Sequence, residues 1–179
     1  TLGSMASDLI AEYKKDKNSR KEWEEAYIKG LELLGTKYQE VTKPFKGASG
    51  VTHPLLAESV TQFQAQAYKE LIPSDGPVRT QVVGLQTPQI EAQADRVKEY
   101  MNFLLMEEME EYTTDMDQML FYLPLSGSTF KKVYYDAMLG RPCSKFIPAE
   151  DLVVPYYASD LKDCERITHI IKMTENEVT

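Results

Sequence analysis

The sequence predicts an α+β fold: a mainly helical N-terminal two-thirds, then a small, mostly antiparallel sheet toward the C-terminus. Two observations carry this. Apolar residues recur at steps of three and four from Leu2 to Leu123, in runs opened by Ser or Thr and closed by Gly or Pro. From Ser128 onward the runs shorten and alternate, with Val, Ile, Tyr and Phe between Gly and Pro punctuation. The division makes residues 1–126 the helical part and residues 127–173 the strand-rich part of a single partial domain.

The first helix is read from Leu2, Met5, Leu9 and Tyr13, with Asn18-Ser19 breaking it. Residues 1–4 fit either the start of this helix or a non-native leader ahead of Met5. Ser19-Arg-Lys-Glu22 matches a capping box, opening a second helix that places Trp23, Tyr27, Leu31 and Leu34 on one face and stops at Gly35. A glycine-containing loop follows over residues 36–51. Thr52 is the expected N-cap of a third helix, with Pro54 in its first turn and Leu56, Val60, Phe63, Ala67 and Leu71 as its stripe.

Pro73 ends that helix, and the β-branched run Val78–Gly84 reads as a strand. Thr87-Pro88 restarts a helix whose stripe is Ile90, Ala94, Val97, Met101 and Leu104, continuing through Leu105 and Met109. Unbroken up to Thr113-Thr114, it would be roughly 35 Å long at about 1.5 Å per residue. A further helix carries Met116, Met119, Leu120 and Leu123 toward Pro124.

Residues 128–136 (STFKKVYYD) and 143–148 (CSKFIP) read as strands joined by a turn containing Gly140 and Pro142. Residues 151–155 (DLVVP) add a short strand, and residues 165–173 alternate Ile167, His169 and Ile171 against Thr168, Ile170 and Lys172. Thr174–Glu177 is another capping box close to the last residue, so the chain is expected to be truncated at a helix start near 174–179.

Composition narrows the function classes. The chain has 179 residues, 42% hydrophobic and 27% charged, which suits a packed core and not a disordered segment. With 28 Asp plus Glu against 20 Lys plus Arg, the formal charge is −8. Such a surface repels phosphate on average, which argues against tight whole-surface binding to DNA or to an anionic membrane. No apolar run reaches the length of a membrane span and no signal peptide opens the chain, so a soluble protein is expected. Cys143 and Cys164 form no CxxC pair and read as reduced thiols.

The candidate chemistry thins out residue by residue. The PFKGASGVTHPLL stretch (residues 44–56) resembles a phosphate-binding loop only superficially. A P-loop needs a strand before it and a Lys-Ser/Thr pair after its last glycine, whereas Lys46 precedes the glycines and Val51-Thr52 follows Gly50. Glu107, Glu108, Glu110, Glu111, Asp115 and Asp117 are carboxylates of the type that holds Mg²⁺ or Ca²⁺. At helical spacing they spread around the axis, which reads as a solvated acidic face. His53 stands before a proline, His169 shares a strand face with Ile167 and Ile171, and Ser126-Gly-Ser128 lacks a recognisable base. No catalytic, metal-binding or cofactor-binding residue is therefore assigned. The eleven tyrosines, with pairs at Tyr134-Tyr135 and Tyr156-Tyr157, read as core and subunit-contact residues.

Six segments taken together resemble the portal (head-to-tail connector) proteins of short-tailed, double-stranded DNA phages. They are residues 53–71 (HPLLAESVTQFQAQAYKEL), 76–84 (GPVRTQVVG), 93–103 (QADRVKEYMNF), 116–136 (MDQMLFYLPLSGSTFKKVYYD), 146–161 (FIPAEDLVVPYYASDL) and 166–173 (RITHIIKM). Their order and spacing, from about residue 19 to the end, carry the resemblance; no single piece is a catalytic signature. It implies the outer wing of a portal subunit, with stem and clip lying beyond Thr179. It further implies a homo-oligomeric ring, usually of twelve subunits, at one capsid vertex of the virion, assembled in the cytoplasm of a host bacterium.

The implied partners are the major capsid and scaffolding proteins, the terminase motor, the tail adaptors, and double-stranded DNA passing through the channel without tight binding. Portals are not enzymes, so none of this requires a cofactor or a membrane. Two other readings stay open on the residues alone. One is a metal-dependent phosphoryl-transfer enzyme using the acids of residues 107–117; the other is an unrelated protein-binding adaptor.

Overall fold

The computed structural model describes residues 2–34, 45–47 and 53–178. Among them are helices α1 (Leu2–Ser19), α2 (Lys21–Leu34), α3 (Leu55–Leu71), α4 (Pro88–Phe103), α5 (Tyr112–Ser126) and α6 (Glu175–Val178). The strands are β1 (Phe130–Asp136), β2 (Arg141–Ile147), β3 (Leu152–Val153) and β4 (Thr168–His169). They form two antiparallel two-stranded sheets, β1 with β2 and β3 with β4. The fold is α+β in the order the sequence predicts. No helix among the described residues is long and apolar enough to cross a membrane.

The chain groups into two compact units. One comprises Thr1–Ser59, Leu125–Ser128 and Pro148–Thr179; the other comprises Val60–Pro124 and Thr129–Ile147.

In the first unit α1 packs on α2 and on β3. Trp23 and Tyr27 stack with centroids 5.3 Å apart, and Tyr27, Ala149, Leu152, Val153 and Pro155 are buried. The face expected on α2 is thus the inward one. The stripe of α1 is not: Leu2, Met5 and Leu9 are exposed, and its buried residue is Asp16.

The capping box expected at Ser19 does not form. The Ser19 hydroxyl donates to the Asp16 carbonyl (2.6 Å) and accepts from the Tyr156 N–H (3.1 Å), so it is no longer available to cap. The helix continues through Ser19 and breaks at Arg20, whose carbonyl accepts from the Glu24 N–H (3.0 Å) to start α2. The expected caps at Gly35 and Thr52 lie outside the described residues. Pro54, expected in the first turn, stands immediately before α3, its carbonyl accepting from the Glu58 N–H at 3.0 Å.

In the second unit Val60, Ile72, Met109, Leu120, Cys143 and Ile147 are buried. The predicted cap of α4 is present. Thr87 is extended (φ −128°, ψ 153°) and its hydroxyl accepts from the Ile90 N–H, with Pro88 in the first turn. The long helix expected to reach Thr113 is divided earlier, making α4 only 16 residues, about 24 Å at the usual rise. Leu104–Glu108 widen into a π turn closed by a bond from the Met109 N–H to the Leu104 carbonyl (2.9 Å). The turn drops Met109 into the core and leaves Thr113 and Thr114 in the first turn of α5, where an N–H needs no helical partner. Pro124 is tolerated inside α5, which runs two residues past it to Ser126.

The strand expected at Val78–Gly84 is absent. This segment has no partner strand among the described residues, and a β-branched run without a ladder gains nothing from its propensity. Its first residue is taken up instead by Asn102. That side-chain oxygen accepts from the Val78 N–H (2.9 Å) and its amide donates to the Val78 carbonyl (3.2 Å). Gly76 (φ +90°) lies so close that a Cβ there would strike the Asn102 amide.

The β1–β2 hairpin turns through residues 137–140, where the Asp136 carboxylate accepts from the N–H groups of Met138 (2.8 Å) and Leu139 (3.2 Å). Pro142, expected in the turn, lies in β2 opposite Tyr135. The run 165–173 pairs only at Thr168 and His169, because Pro155 limits β3 and leaves it two residues long.

Arg20 makes the densest polar contact of the first unit. Its guanidinium donates to the carbonyls of Ala149 (2.9 Å), Leu152 (2.9 Å) and Glu150 (2.8 Å) and to the Glu24 carboxylate (3.0 Å). Lysine carries the charge without the fork. Arg20→Lys is expected to destabilise the chain by about 2–3 kcal/mol, because it leaves buried carbonyls without donors. Denaturant melts followed by the fluorescence of Trp23 measure this; a midpoint unchanged within error would refute the assignment.

Candidate functional site

Among the described residues, each group the sequence singled out has a definite place. Of the acidic cluster, Glu107, Glu108 and Glu110 are exposed, in keeping with a solvated face. Asp117 is exposed as well, whereas Glu111 and Asp115 are half-buried and depart from that expectation. Glu111 pairs with Arg141 (2.9 Å) and accepts from the Ser144 N–H (3.2 Å). Asp115 accepts from the Phe146 N–H (2.7 Å), and Asp117 accepts from the Gln64 amide (2.7 Å). These carboxylates bind protein groups on two different elements, β2 and α3, and so do not converge on one point. Among the described residues no group of three or more His, Cys, Asp or Glu stands together as a metal site would require.

The two strand-edge bonds explain the geometry of β2. Pro142 has no N–H, while Ser144 and Phe146 donate to carboxylates. At these alternate positions the strand faces away from β1, and Glu111 in the turn before α5 and Asp115 of α5 supply the acceptors a third strand would have supplied.

Electrostatics follow the same contacts. Burial pushes the Glu111 carboxyl up, but its hydrogen bonds and the neighbouring Arg141 outweigh this and hold it below the usual 4.5. Lys131 sits over the Tyr112 ring (4.0 Å to the centroid) with its amine buried and unbonded among the described residues. Burial lowers the amine's affinity for its proton, opposed by the charge of Asp115. Burial also raises the Tyr112 phenol and the Cys143 thiol, which makes Cys143 a poor nucleophile.

The remaining candidates are dispersed. His53 is exposed, and His169 is half-buried opposite Leu152 in the small sheet. The Ser126 hydroxyl donates to the Ser128 carbonyl (2.6 Å), and the Cys164 thiol to the Arg166 carbonyl (2.9 Å). Both cysteines are free thiols. Of the PFKGASGVTHPLL stretch, residues 48–52 and the first proline lie outside the described residues; Gly47 has φ +95°, a turn conformation. The tyrosine pairs at 134–135 and 156–157 are all exposed, outside any core.

Sequence reasoning missed the arginine contacts. Arg166 grips the buried Asp16 with two nitrogens (3.1 and 3.2 Å) and reaches Glu12 (2.9 Å), across 150 positions of chain. Only an acid on the apolar side of α1 hinted at it. Compared with known proteins, the chain matches no protein-family model and no curated sequence.

A carboxyl held below its usual value stabilises the fold above that value and loses this contribution as pH falls through the folded one. Glu111→Ala is therefore expected to cost about 2 kcal/mol at pH 7, by leaving the Ser144 N–H and Arg141 without their acceptor. The gap between wild type and variant should narrow below pH 4.5. Urea melts between pH 3 and 7 measure both; a gap that stays constant across that range would contradict the contact.

Proposed function

We propose that the chain is the wing part of a phage portal subunit, a structural element of the ring through which DNA enters and leaves the capsid. The ordered set of segments between residues 53 and 173 carries this reading. The α+β architecture, helices first and short antiparallel strands last, agrees with it in class. The polar residues support a structural role, since arginines and carboxylates are directed at backbone groups of the same chain.

The same contacts weigh against phosphoryl transfer. Glu111, Asp115 and Asp117 each hold a protein donor, and using them for metal would release β2 or the Gln64 side chain. The acidic balance of −8 suits a protein past which DNA slides without sticking. In the assembled particle the partners would be further copies of the same subunit, the shell and scaffolding proteins, the packaging motor and the tail adaptors.

Electron microscopy of the whole gene product is expected to show closed rings, with no Mg²⁺- or Mn²⁺-dependent nuclease or ATPase turnover in the same preparation. Persistent monomers at micromolar concentration would count against a portal. Turnover abolished by Asp115→Ala would overturn the structural reading in favour of an enzyme.

A further inference from the structure

The β1–β2 hairpin has two edges, and they are treated differently. Along β2 the outward positions are Pro142, Ser144 and Phe146, which lack an N–H or donate it to the carboxylates of Glu111 and Asp115. Their partners across the ladder are Tyr135, Val133 and Lys131. In an antiparallel pair, residues opposite such outward positions also point their N–H and C=O groups away from the partner strand. These six backbone groups of β1 meet no partner among the described residues. Val133 is 71% exposed and Tyr135 66%, so the edge is open to another chain.

Elsewhere in the same unit lies a segment with the opposite deficiency. Val78–Gly84 has the composition of a strand, yet Arg79–Gln86 make no hydrogen bond among the described residues. Val83 is 92% exposed and Leu85 80%. Asn102 holds the segment's first residue, which fixes where it leaves the helices. A β-branched, unladdered segment and a free strand edge on one chain are complementary in hydrogen bonding and in apolar side chains.

We infer that the Val78–Leu85 segment of one copy adds as a third strand to the β1 edge of a second copy. The two surfaces are different patches of the chain, so the contact is heterologous: each copy offers an edge to one neighbour and a strand to the other. Such contacts repeat around an axis, whereas a self-complementary patch would stop at a dimer. Lys132, exposed on the hairpin, limits pairing with unrelated chains, a common protection of open edges. The contact is argued from this chain alone; only its closure into a ring rests on the portal reading.

Proline at an outward position removes an outward N–H and spares the ladder within the hairpin, as Pro142 does in β2. In the whole gene product, Val133→Pro is expected to weaken self-association at least about tenfold, the loss of one or two backbone bonds. Val82→Pro and Val83→Pro lie between Arg79 and Gln86, which make no hydrogen bond among the described residues, so the fold is expected to survive. The one whose N–H faces the neighbouring strand should weaken association equally, and the other far less. Two differently tagged copies, one carrying Val133→Cys and the other Gln81→Cys, Val82→Cys or Val83→Cys, should cross-link between subunits on mild oxidation.

Rings that survive every proline variant and give no such cross-link would overturn this contact and leave the portal reading standing. Dimers or filaments that Val133→Pro dissociates, with the same cross-link but no ring, would keep the contact and remove the portal reading. A cross-link between two Val133→Cys copies alone would show β1 pairing with itself and overturn the choice of partner. Monomers at every concentration would overturn both.

Discussion

The guanidinium of Arg20 is the contact on which the first unit depends. It lies between α1 and α2, buried, and donates to three carbonyls of the turn that leads into β3. A charge taken out of water is costly unless its donors are met. Here the fork meets Ala149, Glu150, Leu152 and Glu24 together, and the charge lies 5.3 Å from the centroid of the Trp23 ring. Only arginine presents that many donors in one plane. About 130 residues separate the two ends of the contact, so forming it closes a long loop. The Arg166–Asp16 pair closes a second one beside it. Helices near the N-terminus are thereby tied to strands near residue 170.

The second unit solves a similar problem with carboxylates. A two-stranded sheet has no interior strand, and both edges carry unpaired groups. Glu111, in the turn before α5, and Asp115 of α5 cover one edge by reaching over β2, and Asn102 does the same for the lone residue Val78. In both units side chains bind backbone in place of the missing regular structure. The acids most suggestive of chemistry are therefore those most engaged in architecture. The cost of the arrangement shows at Lys131, whose buried amine has the Tyr112 ring below it and no hydrogen-bond acceptor among the described residues.

What the sequence disclosed followed from periodicity and capping. The Trp23–Tyr27 face, the Thr87-Pro88 helix start and the hairpin of residues 130–147 were legible because local pattern and final structure agree. Other features were not, three of them among the side chains and segments the sequence singled out. Ser19 looks like a cap but is recruited by the Tyr156 N–H, a residue far along the chain. Val78–Gly84 looks like a strand but has no neighbour to pair with among the described residues, and propensity does not supply one. The acids at Glu111 and Asp115 looked solvated because helical spacing says nothing of a strand edge passing beside the helix. In each case a long-range contact, made or missing, overrides a local preference.

Whether those carboxylates hold backbone or metal decides between a scaffold and an enzyme, and amide hydrogen exchange reads it directly. The amides of Ser144 and Phe146 point away from the ladder and owe any protection to Glu111 and Asp115. The expected result is protection comparable to amides inside β2, unchanged by millimolar Mg²⁺ or Mn²⁺. Exchange at these two amides as fast as in exposed loops, or protection that changes on adding the metal, would contradict the structural role.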